Sequence, residues 1–272
     1  FCPHHFLSTE WLLKPLTGWA LPRARPMDNV SVGWDSPQED EMALCLLTMM
    51  SPYVMALRPD HLPTYGRFFN PDNMTPAERD EYQSAMRYYF RKLAVRDPRP
   101  LCLKSPGNTF RMRMLSELFP NARYVYIYRD PLAVIRSSIH LRRTMNDENS
   151  LGDRDQPNVE SEILDVYEDS FRCYERDRGL ISADRIYEMR YETLDSDPLS
   201  ELDRMYSALN LEGYDALAGR LRPQLAEVNA FQKNRYDKDP DQAQRVYARL
   251  KFAYDRFGYD PPVTPTLQVV GD

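Results

Sequence analysis

Cysteine is scarce in this sequence of 272 residues, and the four present have no pattern. Cys2, Cys45, Cys102 and Cys173 are scattered, with no C-x-x-C pair and no metal-ligand spacing. That speaks against a disulfide framework or a structural zinc site and fits reduced thiols in a reducing compartment. Long apolar runs are also lacking. The longest, MALCLLTMMSPYVMAL, is broken by Thr48, Ser51 and Pro52 and is too interrupted to span a bilayer. An excess of positive charge is missing too: the formal net charge is −6, which argues against a general nucleic-acid binder but leaves room for a local basic pocket. No GxxxxGK[ST] occurs, so a nucleotide kinase built on a Walker lysine and magnesium is disfavoured, and no metal constellation is present. There is no internal repeat and no low-complexity tract. No signal peptide is visible either, but the chain opens with Phe1 rather than Met, so the expectation of a cytoplasmic protein rests on the scattered thiols.

What is present is an ordinary globular composition, 42% hydrophobic and 28% charged. The length suits one large domain or two small ones. The most informative stretch runs from Leu101 to Met145, LCLKSPGNTFRMRMLSELFPNARYVYIYRDPLAVIRSSIHLRRTM. LCLK reads as a short strand ending at Lys104, and ARYVYIY, rich in β-branched and aromatic residues, as a second ending at Arg129. Between them, Phe110, Met114, Leu115 and Leu118 recur at helical spacing after a possible cap at Thr109. Two strands joined by a crossover helix imply a parallel pair, and open parallel sheets bind ligands at the carboxyl ends of their strands. A helix starting at Pro131 would add its free N–H groups and positive dipole end to Arg129. This is a place for an anion.

Elsewhere, Ser8 can cap a short helix through Leu13, and Ser36-Pro37 followed by Glu39, Asp40 and Glu41 reads as a strong helix start. Residues 51–74 look like a long loop. Thr75-Pro76-Ala77-Glu78 is a capping box opening a helix to about Arg96. The polar segment 146–158 reads as a surface loop, and 159–178 as a helix stopped by Gly179. RIYEMRYETL gives a third strand leaving at Tyr191, and a last helix runs from a cap at Asp239 to Gly258. Three strands make a thin sheet for this length, so a further strand is expected on the N-terminal side.

Four stretches together resemble the superfamily of sulfotransferases that use 3′-phosphoadenosine 5′-phosphosulfate (PAPS), most closely its bacterial-type family and more distantly the tyrosylprotein sulfotransferases. LCLKSPGNT is similar to the family's strand and Lys-Ser-Pro turn. LFPNARYVYIYRDPLAVIRSS is similar to its 3′-phosphate site, an Arg leaving a strand with a Ser eight residues on. RYETLDSDP resembles the strand end whose Tyr packs on adenine. FCPHHFLSTEWLLKP and VGWDSPQEDEMALCLL resemble the N-terminal region, so the likeness spans most of residues 1–259. It implies an α/β, P-loop-like three-layer fold with a parallel sheet flanked by helices and largely helical additions at both ends, here as a single domain over residues 1–272. Relatives also carry a 5′-phosphosulfate loop, typically P-R-S-G-T-T, and nothing like it occurs here. With Phe1 in place of an initiator Met, the expectation is an N-terminally truncated domain.

The resemblance further implies roles. Arg129 and Ser137 would hold the 3′-phosphate, the guanidinium bidentately, and Tyr191 would stack on adenine. Lys104 would neutralise the leaving group near the bridging oxygen, with Ser105 bonding the donor. Lys233, Asn234 and Arg235 could close over the 3′-phosphate as a basic loop does in related enzymes, although no family motif fixes them. Each has a plainer reading: a helix-capping ion pair for Arg129-Asp130, a solvated strand-end Lys104, a turn-holding Ser105, a core Tyr191, and a solvated helix end for the basic trio. The acceptor needs a general base, for which His4 and His5 are candidates, His5 ahead, and Glu10, Glu39 and Asp40 are others. The expected activity is sulfuryl transfer from PAPS to a hydroxyl or amine of a small-molecule, glycan or peptide acceptor, without metal. The alternative is a sulfotransferase-like binding protein or fragment without activity.

Overall fold

Thr75-Pro76-Ala77-Glu78 forms the helix start that its sequence encodes. The Thr75 hydroxyl accepts the Glu78 N–H at 3.3 Å, and the Glu78 carboxylate accepts the Thr75 N–H at 2.8 Å. In this computed structural model, residues 3–20, 33–34, 36–152, 157–225 and 239–262 are described. They fall into two compact units, Phe1–Pro120 with His140–Asn158, and Asn121–Ile139 with Val159–Asp272.

The first unit is helical. It holds α1 (Phe6–Thr17), α2 (Asp40–Thr48), short 3₁₀ turns around the one-turn α3 (Leu62–Tyr65), α4 (Pro76–Arg96), and a 3₁₀ turn Pro106–Arg111 that leads into α5 (Met112–Leu118). Leu44, Val54, Phe68, Tyr82, Met86, Phe90, Phe110 and Leu115 are buried. Among them lies an ion pair, Arg111 with Glu41, both side chains 0% exposed. Ser51 and Tyr82 also donate to the Glu41 carboxylate, at 2.5 and 3.0 Å, and Arg111 donates to the Phe68 carbonyl at 3.1 Å. A Cβ on Gly107 would sit 3.2–3.3 Å from the Arg111 guanidinium, so glycine is what lets the backbone come that close.

The second unit carries the sheet. β1 (Tyr124–Tyr128) and β2 (Ile186–Arg190) pair in parallel, from Tyr124↔Ile186 to Tyr128↔Arg190. Around them are α6 (Pro131–Asn149, in this unit as far as Ile139), α7 (Val159–Asp177), α8 (Tyr191–Ser196), α9 (Pro198–Ala208), α10 (Tyr214–Leu221) and α11 (Pro240–Phe257). The tyrosines of β1 point to one face, where Tyr126 stacks on Tyr174 of α7 and Tyr128 on Phe257 of α11, at centroid distances of 3.6 and 4.4 Å. Val125 and Ile127 lie exposed on the other. Ile135, Ile139, Val159, Leu164, Val246, Leu250 and Tyr254 join α6, α7 and α11 in one core. Asp239 caps α11 through the Gln242 N–H at 3.0 Å, and Gly258 ends it at φ 65°, both as the sequence indicates.

The α/β class and a parallel sheet match the expectation, but the expected pair, LCLK with ARYVYIY, is not the one that forms: β1 pairs with the strand from RIYEMRYETL instead. LCLK does not form a strand: residues 101–105 have no regular structure, and Leu101 and Leu103 are exposed. A strand needs a hydrogen-bonded neighbour, and among the described residues the sheet contains β1 and β2 only. The segment 51–74 is built mostly of short helical turns. α2 begins at Asp40 with Glu39 as its cap, and α1 enters from His5, placing Ser8 inside it. α6 continues to Asn149 through residues read as loop. No described helix is long and apolar enough to cross a membrane.

Two outcomes follow from this framework. Thr75→Ala should lower stability by about 1 kcal/mol in urea unfolding. Arg67 first, and then the Thr75 N–H, hold the Glu78 carboxyl down at about 2, against an ordinary 4.5. A depressed folded value means that the stabilisation is complete above pH 4.5 and is lost as pH falls toward 2. Glu78→Gln should therefore lower the urea midpoint at pH 7, with the difference from wild type closing over that interval. In the core, Arg111→Met should cost about 3–5 kcal/mol by stranding Glu41, and adding Glu41→Met should recover most of it, both read from urea midpoints.

Candidate functional site

Two paired parallel strands release the chain side by side. Because Tyr128 is in register with Arg190, Arg129 and Tyr191 are the next residues on adjacent exits. The Arg129 guanidinium lies 4.4 Å from the centroid of the Tyr191 ring, a cation–π contact. No carboxylate among the described residues pairs with Arg129, which is half-buried.

The turn that carries Arg129 is held from several sides. Asp130 Oδ1 accepts the Ala133 N–H at 2.7 Å, capping α6, so the first-turn amides are not all free, contrary to the sequence reading. The Asp130 N–H donates to Glu192 at 3.2 Å, and the other Glu192 oxygen accepts the Tyr259 hydroxyl at 2.7 Å. Arg190 lies 3.5 Å from that same carboxylate and 4.3 Å from the Tyr259 ring centroid. Burial opposes the charge on Glu192, but Tyr259 and the Asp130 N–H hold its carboxyl below the usual range. Ser137 is half-buried on α6, roughly 9 Å of helix axis beyond Pro131. It lies across the helix from the buried Ile135 and Ile139.

In the first unit, Lys104 is exposed and follows no strand. Its ammonium pairs with Glu39, whose other oxygen accepts the Tyr53 hydroxyl. Burial, with Glu39 next, pushes the Tyr53 phenol well up, while the neighbouring Ser105 hydroxyl acts in the opposite direction. Ser105 is half-buried at the entry to the Pro106–Arg111 turn. His5 is exposed at the start of α1, its ring 6.0 Å from that of His4, and it makes no hydrogen bond to Lys104 or Glu39. Glu10 accepts the Trp34 indole N–H at 3.0 Å and pairs with Arg96. Burial works against the Glu10 charge, yet these two partners hold its carboxyl below the usual range. Asp40 is buried, and burial, with Glu41 adding, pushes its carboxyl up. Of the five candidate bases, Glu39 is the one that touches Lys104. Lys233, Asn234 and Arg235 lie outside the described residues.

The structure thus brings Arg129 onto Tyr191, and Lys104 onto Glu39 with Ser105 beside Tyr53. Sequence reasoning missed Glu192 and Tyr259 as supports of the Arg129 turn. The available signals were local: Glu192 shares a strand exit with Tyr191, and Tyr259 follows the Gly258 stop.

Comparison with known proteins bears on the family and the fold. The model of the sulfotransferase family matches residues 35–216. The chain is 31% identical over 258 residues to the omega-hydroxy-beta-dihydromenaquinone-9 sulfotransferase Stf3 of Mycobacterium bovis, and equally to that of Mycobacterium tuberculosis. The match covers 95% of this chain and 66% of each relative, so the chain spans about two thirds of the length of these curated relatives. Among solved structures, the sulfotransferase STF9 from Mycobacterium avium superposes with a TM-score of 0.55 at 15% identity, over 92% of this chain and 81% of that one, a likeness of fold. With a family match that takes in Lys104, Arg129, Ser137 and Tyr191, the chain belongs to the sulfotransferase family.

Proposed function

We propose that the chain binds PAPS and transfers its sulfuryl group to an acceptor hydroxyl. The observation that carries this reading is Arg129 set over Tyr191 at adjacent exits of a parallel strand pair. A guanidinium with no competing carboxylate among the described residues suits a phosphate, to which it can donate two parallel hydrogen bonds, and the nearby start of α6 adds its positive dipole end. On this reading Arg129 and Ser137 take the 3′-phosphate. Adenine stacks on the Tyr191 face opposite Arg129.

Lys104 and Ser105 serve the phosphosulfate. The acceptor oxygen attacks sulfur in line, the bond from sulfur to the bridging oxygen breaks, and the electron pair leaves on adenosine 3′,5′-bisphosphate. Lys104 offsets the charge that develops there. Since Glu39 holds the Lys104 ammonium, donor binding exchanges that carboxylate for phosphate oxygens. A carboxylate so released can take the acceptor proton, which favours Glu39 over His5, Glu10 and Asp40 as the base. The two mycobacterial relatives are named for an omega-hydroxylated menaquinone. We take that acceptor class for this chain ahead of a glycan or peptide. Cys45, Cys102 and Cys173 are not in disulfides, which supports a reducing setting such as the cytoplasm.

A second reading, donor binding without transfer, is favoured by one observation: no stretch of the sequence resembles P-R-S-G-T-T. Incubation with PAPS and an omega-hydroxy prenylquinone separates the two, since sulfated product supports transfer and binding without product supports the second reading. Calorimetry with adenosine 3′,5′-bisphosphate tests the site itself. Arg129→Ala should weaken binding about 10- to 150-fold, the range for losing a hydrogen bond to a charged group. Equal affinity in wild type and variant would remove Arg129 from the site. Glu39→Gln should tighten binding several-fold by freeing Lys104 for the 5′-phosphate; unchanged affinity would take Lys104 out of contact with phosphate.

A further inference from the structure

One helix of the first unit is apolar but uncovered. α1 reads FLSTEWLLKPLT and has no buried residue. Leu7, Trp11, Leu12, Leu16 and, just beyond it, Trp19 are all exposed, Trp11 by 75% and Trp19 by 84%. Exposed apolar side chains normally occur singly, and a contiguous group of this kind marks a surface that meets something.

A basic groove adjoins this helix. Arg87, Tyr88, Arg91, Lys92 and Val95 of α4, with Ser84, line an open groove of about 320 Å³. Arg87 and Arg91 are exposed one turn apart, and neither is paired with a carboxylate among the described residues. Lys92 ties the groove to α1. Its ammonium donates to the carbonyls of Pro3 and His4 at 2.8 and 2.6 Å and stands 5.2 Å from the Phe6 ring centroid. The acid that α1 contributes, Glu10, is already held by Arg96 and Trp34. An acidic chain of net charge −6 thus carries cations with no carboxylate partner among the described residues on α4, the helix that Phe6 and Glu10 of the apolar α1 contact.

We propose that α1 and the Arg87–Arg91–Lys92 groove form a docking surface for an anionic phospholipid bilayer. Tryptophan, apolar with one polar N–H, prefers the headgroup level, leucines enter the acyl boundary, and guanidinium groups bond lipid phosphates. Charge decides between occupants. A second copy in a two-fold contact would bring like-charged Arg87 and Arg91 clusters toward each other, whereas an anionic leaflet complements them. Docking would bring the enzyme to an acceptor dissolved in the membrane. That consequence rests on the proposed function, but the docking itself does not.

Cosedimentation of the full chain with vesicles tests this without any transfer assay. The protein should bind vesicles of phosphatidylcholine mixed with phosphatidylglycerol, release as salt is raised, and bind pure phosphatidylcholine far less. Arg87→Glu with Arg91→Glu should lower the partition coefficient at least about ten-fold, since each basic residue near an anionic leaflet is worth about five-fold. Trp11→Gln with Trp19→Gln should lower it as well and abolish the fluorescence blue shift on vesicle addition. Neither pair should shift the thermal melt, because all four side chains are exposed. Any of three results overturns the proposal: no partition into anionic vesicles, equal partition into neutral ones, or a partition that both variant pairs leave intact. Self-association that the tryptophan variants dissolve, without vesicle binding, would assign the face to a second copy instead.

Discussion

Parallel strands must run the same way, so their carboxyl ends open on one edge, and the candidate nucleotide site depends on that constraint. The pairing Tyr128↔Arg190 sets Arg129 beside Tyr191. A slip of one residue would separate them and turn every β1 side chain to the opposite face. The tyrosine face is what resists such a slip. Tyr126 and Tyr128 stack on Tyr174 and Phe257, while on β2 Glu188 accepts the Tyr174 hydroxyl at 2.5 Å. Moving Tyr126 and Tyr128 to the side of Val125 and Ile127 would give up all of these contacts. The aromatic packing under the strands therefore sets the geometry above them.

The two cations at the centre of the functional reading are positioned by different physics. Arg129 sits between a strand and a helix, with Asp130 capping the helix, Glu192 holding the Asp130 amide and Tyr259 holding Glu192. Its backbone is fixed before any ligand arrives, which is the preorganisation that anion stabilisation needs. Lys104 lies in a segment without regular structure, and its ammonium is held by a counter-ion, Glu39. A flexible four-carbon stem and a compact charge suit a group that changes partners, and a planar guanidinium suits one that does not.

What could be read from the sequence was local. The Thr75–Glu78 box, Pro131 at the start of α6, the Asp239 cap and the Gly258 stop each lie within a few residues and occur as expected. So do the strands that lead to Arg129 and Tyr191, each ending one residue before them, whose tyrosine, valine and isoleucine content is distinctive. What escaped was pairing across the chain. LCLK has the composition of a strand, but no composition states whether a neighbour will be there to take its amides. Glu39 and Lys104 are 65 residues apart, Asp130 and Glu192 62, and Glu41 and Arg111 70. No helical or strand period connects residues at such distances. The fold brings them together, so periodicity could nominate Glu39 as a base without revealing it as the partner of Lys104.

The Glu41–Arg111 pair also bears on how Lys104 can be presented with no strand behind it. Lys104 and Ser105 lead directly into the 3₁₀ turn Pro106–Arg111, so the turn fixes where they leave the core. Its far end is Arg111, fully buried and bonded to Glu41 and to the Phe68 carbonyl. Its near end is Gly107, whose missing Cβ admits that same guanidinium. The turn is therefore clamped by a single buried side chain at both ends. In LCLKSPGNT the glycine thus serves the core beneath the turn rather than a ligand. A Cβ there would ask the guanidinium or the turn to give by a few tenths of an ångström. The Lys-Ser-Pro turn owes its position to a core ion pair, one step removed from any contact with a donor.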